Sequence, residues 1–69
     1  MGQAEKDKLR ALLDYWVKHN KEHGDEFREW AEKARDLGET EIHDELMQAA
    51  EEMGKANALL LSALGRLKK

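Results

Sequence analysis

Cysteine and proline are absent from this 69-residue chain. The first absence excludes disulfides, thiolate metal ligands and thiol chemistry, and it suits a reducing compartment. The second removes the strongest helix breaker. Aromatic residues are sparse, with one phenylalanine, one tyrosine and two tryptophans. Long apolar runs are missing as well. The longest uncharged stretch, Ala56 to Gly65, falls far short of the roughly 20 residues that a membrane span requires. The net charge is only -3, and no basic stripe carries aromatics, so nucleic acid has little to hold. The polar, charged start has no leader-like pattern. Together these absences predict a soluble cytoplasmic protein, with neither nucleic acid nor membrane as partner.

What remains is helix. Alanine, leucine, glutamate, lysine and arginine dominate, all strong helix formers. Leu9, Trp16, His23, Trp30 and Leu37 recur every seventh residue. Leu12 or Leu13, Asn20, Phe27 and Ala34 form a companion series, so the two make one amphipathic stripe. In Leu37-Gly38-Glu39-Thr40, Gly38 suits the left-handed position after a helix and Thr40 suits an N-cap. A second stripe follows through Ile42, Leu46, Ala49, Met53, Ala56, Leu60, Ala63 and Leu67. A flanking row of His43, Met47, Ala50, Gly54, Asn57, Leu61 and Leu64 widens it.

The pattern predicts a single all-α domain with a helix over about 5–37, a turn at 38–40 and a helix over about 41–67. Gly24-Asp25 leaves two architectures open. A glycine tolerated inside one long helix costs about 1 kcal/mol relative to alanine and gives an antiparallel helical hairpin. A break at Gly24 gives a three-helix bundle instead. Two helices alone bury little surface, so the hairpin is expected to form a homodimer, a four-helix bundle.

Chemistry concentrates in Trp16-Val17-Lys18-His19-Asn20-Lys21-Glu22-His23. A turn at Gly38-Glu39 places residues whose numbers sum to about 77 opposite each other. His23 is then expected to face Gly54, Asn20 to face Asn57, Trp30 to face Met47 and Trp16 to face Leu61. Histidines at i and i+4 project from one helix face and can reach a single ion. His19 and His23 are therefore the candidate ligands for a divalent transition metal, with nickel, zinc and copper all suited to imidazole. Glu22 or Glu26 can add an oxygen, and Asn20 and Asn57 complete a polar layer in which Asn20 holds a ring N–H. In an antiparallel dimer the two histidine pairs fall near the two-fold axis and can meet. Trp16, Phe27 and Trp30 are expected in the core. The blander alternative is a structural module in which the His/Asn layer only fixes helix pairing.

His43, near the turn, reads as a surface residue or a partner of Glu39 or Glu41. His19 to His23 also spells H-x-x-E-H, the inverted zinc-protease motif, but 69 helical residues offer no cleft or substrate platform. The Glu-x-x-His repeat of di-iron bundles is missing. No enzyme is expected.

The run Trp16, His19, Asn20 and His23, followed by Trp30-Ala31 and Ala56-Asn57, resembles a small helical domain of unknown function from anaerobic archaea and bacteria. The signature of that family looks like H-W-x-x-H-N-x-x-H, then an aromatic-x-x-W-A motif and a helix containing A-N. The similarity spans nearly the whole chain. It departs at Tyr15, where the family pattern has its first histidine, and at Gly24, where it has alanine. The family is sometimes associated with small nickel-binding proteins of the carbon-monoxide dehydrogenase maturation type, which implies nickel as a candidate ion.

Overall fold

A computed structural model describes residues 2–68 as two long helices packed side by side. Helix α1 runs over Gln3–Asp36 and α2 over Thr40–Lys68. Together they make a rod of 56 × 14 × 12 Å. Its radius of gyration is 15.9 Å, against about 11 Å for a compact domain of this length.

Gly24 does not break α1. It lies in the middle of an uninterrupted helix, without a positive φ, and it is buried. The three-helix alternative is therefore corrected: the chain has one turn, at Gly38. There φ is 83°, the left-handed region that glycine enters without steric cost. The Glu39 N–H donates to the Ala34 carbonyl at 2.8 Å and the Gly38 N–H to the Arg35 carbonyl at 2.9 Å. This is the Schellman arrangement, which satisfies carbonyls left over at a helix end. The start of α2 is one residue earlier than expected. The His43 N–H donates to the Glu39 carbonyl at 3.0 Å, so Glu39 takes the capping position expected for Thr40.

The helices meet along two strict heptad seams. On α1 the seam runs through Arg10, Leu13, Val17, Asn20, Gly24, Phe27, Ala31 and Ala34; on α2 it runs through His43, Leu46, Ala50, Met53, Asn57, Leu60, Leu64 and Leu67. All sixteen are buried or half-buried. The register matches the sum of 77, since a Cβ placed on Gly24 would lie 3.8 Å from Met53 Cβ. The phase does not match the expected stripes. Leu13, Ala31, Ala34, Ala50 and Leu64 are the buried apolar side chains, while Trp16 is 40% and Trp30 58% exposed. The two tryptophans are thus not core in the hairpin; of the three expected core aromatics, only Phe27 sits on the seam. Small residues win the centre because they let two long helices approach closely, which gains packing along the full length of the rod.

The outer surfaces are held by short-range charge pairs such as Asp14–Lys18 at 3.0 Å and Lys21–Asp25 at 3.2 Å. Exposed pairs of this kind contribute little individually. Among the described residues, no helix is long and apolar enough to cross a membrane.

Candidate functional site

The expected metal pair sits at mid-height of α1 and is preorganised by that helix alone. One helical turn separates His19 from His23, and their Nε2 atoms approach to 2.9 Å. The rings meet edge to face, with centroids 4.4 Å apart. Tyr15 stacks on His19 from the turn below at 5.3 Å, and Phe27 lies 6.1 Å from His23 on the turn above. Four rings at successive i+4 positions thus form a ladder along α1 and restrict how each imidazole can turn.

Glu26 stands beside the pair. Its Oε1 lies 3.1 Å from His23 Nδ1, a contact that becomes an ion pair when the ring is protonated. Across the 2.9 Å gap one ring donates to the other, which of the two depending on the tautomer. A carboxylate beside a histidine ring is a common outer-shell support of a metal ligand. Metal–nitrogen bonds of about 2.05 Å from two nitrogens at this separation subtend about 90° at the ion. Widening the gap by about 0.4 Å reaches the tetrahedral angle. The separation of the two nitrogens is thus compatible, in distance, with a shared ion. Among the described residues, no group of three His, Cys, Asp or Glu side chains comes together to hold a metal. The pair is an open, two-nitrogen platform.

The other expected site residues are distributed differently. Glu22 is exposed and makes no bond with either ring among those found, so the oxygen beside the pair is that of Glu26. Asn20 and Asn57 do share one groove at mid-height, with Lys21, Gly24, Arg28 and Gly54. Among the described residues Asn20 makes no bond to a ring N–H, and the side chain found beside the His23 ring is that of Glu26. Asn57 instead ties the helices together, its Nδ2 donating to the Val17 carbonyl at 2.9 Å. Its buried Oδ1 has no partner. Gly54 lines the Lys21–Arg28 side of the rod, and a Cβ there would meet nothing within 4 Å. His23 lies on the opposite flank of the seam, so the expected His23–Gly54 opposition does not occur. His43 is half-buried at the turn end of the seam, and its Nδ1 pairs with Asp44 at 3.0 Å rather than with Glu39 or Glu41.

Tyr15 is the residue that sequence reasoning missed. Its signal was the i, i+4 spacing to His19, hidden because the position was read only as a lost histidine.

Residues 9–67 match the model of a family described as a domain of unknown function, DUF8180. No curated protein and no solved structure matches the chain.

Proposed function

We propose, from the premise that the chain belongs to the DUF8180 family, that it is a small metal-binding helical protein, a carrier, buffer or sensor, whose ligands are His19 and His23. The observation that carries this reading is the convergence of the two Nε2 atoms at 2.9 Å with Glu26 on the far side of one ring. The ion is a divalent first-row metal, with nickel, zinc and copper the candidates that imidazole favours. Water or a second copy of the chain fills the remaining coordination positions, the latter in a homodimeric four-helix bundle.

Calorimetric titration with nickel, zinc and copper salts tests this. Wild type takes up at least one of the three ions, and His19→Ala and His23→Ala each abolish most of the affinity. Equal affinity in wild type and in the double variant overturns the assignment. The competing reading, a pairing module without metal, is favoured by the exposed tryptophans and predicts a stable dimer that ignores every ion tested.

A further inference from the structure

The flank of α1 that the hairpin leaves uncovered has an internal symmetry. Its seventh-residue row reads Leu9, Trp16, His23, Trp30, Leu37, the same in both directions about His23. All four apolar members are exposed, Leu9 at 43% and Leu37 at 79% with the tryptophans between. An antiparallel two-fold contact pairs residue i with j and j with i. A row that reads the same in both directions about one residue therefore meets its own copy like against like, apolar against apolar, when the axis passes at that residue.

We infer that this row is the contact surface for a second copy of the chain, with the two α1 helices antiparallel and the two-fold axis passing at His23. Trp16 then lies against the second copy's Trp30, Leu9 against its Leu37, and the two His23 rings face each other. The neighbouring row adds a polar edge: His19 comes within one residue of the level of the second copy's Glu26, an imidazole beside a carboxylate. On α2, the heptad places Ile42, Ala49, Ala56 and Ala63 along this same flank. The three alanines leave room for the second hairpin to lie flat, and Ile42 adds exposed apolar surface.

The area argues for a copy rather than a smaller ligand. The chain exposes 5492 Å², whereas a compact monomer of its 8.0 kDa exposes about 4,450 Å². The excess is about 1,000 Å² per chain, elongated surface of the kind that side-by-side pairing covers, and a stable interface needs about 1,600 Å² in total. Exposed apolar surface of this continuity marks an interaction site. That the centre of this interface also completes a metal site rests on the function proposed above; the interface itself does not.

The test is sedimentation in chelator, combined with cysteine cross-linking in a chain that has none of its own. Wild type sediments as a dimer without metal. Trp16→Glu and Trp30→Glu each raise its dissociation constant about a thousandfold, since each substitution acts twice in the dimer and buried tryptophans dominate interfaces. Circular dichroism confirms that the variants keep their helices. His23→Cys oxidises to a cross-linked dimer, because position 23 meets itself. Trp16→Cys alone does not, but it cross-links when mixed with Trp30→Cys. A monomer in chelator, with helicity intact, overturns the inference and leaves the face to a different protein. A dimer that ignores both tryptophan substitutions, or that links Trp16→Cys to Ala63→Cys instead, overturns it too. Metal binding is read separately by the titration above, so a monomer that still takes up metal refutes the interface alone, and an indifferent dimer refutes the metal site alone.

Discussion

Replacing Gly24 by alanine should stabilise the protein, and the size of the gain follows from its surroundings. The residue is buried in mid-helix and has no positive φ, so alanine can adopt its backbone without strain. Helix propensity alone favours alanine by about 0.8–1.0 kcal/mol. The new methyl meets Met53 Cβ and Arg28 Nη1, each at 3.8 Å, which is ordinary van der Waals contact. It therefore adds burial worth up to about 0.8 kcal/mol. The expected gain is about 1–2 kcal/mol, or a rise in Tm of about 4–16 °C for a domain of this size. The assay is thermal and urea unfolding followed by circular dichroism at one fixed protein concentration, because an associating chain has a concentration-dependent midpoint. Gly38→Ala is the control with opposite sign. Its φ of 83° imposes about 1–2 kcal/mol on any side chain. If Gly24→Ala instead destabilises by 1 kcal/mol or more, the helices pack closer at mid-height than the geometry above allows.

Three further outcomes are expected. Asn57→Leu should be close to neutral, because it removes the inter-helix bond to Val17 together with an orphaned buried oxygen; denaturant midpoints report the balance. Asn57→Asp, in contrast, sets a buried carboxylate against the Val17 carbonyl and should cost about 2 kcal/mol at neutral pH. Burial favours the protonated form in the folded state, so the folded pKa lies above the unfolded one and the cost should shrink as pH falls. Unfolding that variant across an acid series checks the sign. Glu26→Ala should weaken metal binding about 10–100-fold through loss of the carboxylate behind His23, and Glu26→Gln, which keeps an acceptor, should weaken it less; calorimetry separates the two. Saturating metal at about a hundred times its Kd should stabilise wild type by about 2.7 kcal/mol, with the gain lost on His23→Ala and diminishing in acid as protons compete for the same nitrogens.

The helices, the turn and the register were legible because each rests on local chemistry. Gly38 marks the one left-handed position, and two uninterrupted heptad patterns on either side set where the helices face. The phase was not legible. Leu9, Trp16, Trp30 and Leu37 are bulky apolar residues at heptad spacing, and bulk alone assigns them to the core. The apolar stripe is nevertheless wider than one helix–helix contact can cover. Which half turns inward is decided by Gly24, Ala31, Ala34 and Ala50, residues whose value lies in how closely they let backbones approach. Hydrophobicity scales hardly register that. The same ambiguity displaced Gly54, whose opposite partner changes flank when the phase turns by one position. Glu26 was visible as an oxygen at i+3 from His23, and the fold sets it 3.1 Å from Nδ1.

The histidine pair owes its geometry to a single turn of α1, with nothing contributed by α2. Its consequence reaches back to the chain before it folds. Forming the first turn of a helix is the costly step, since three residues must be fixed for one hydrogen bond. An ion clasped between His19 and His23 would fix that turn from outside, near the middle of a 34-residue helix. Growth from there proceeds in both directions at little further cost. Metal would then act on the rate of folding as well as on stability, by seeding α1 before its partner helix arrives.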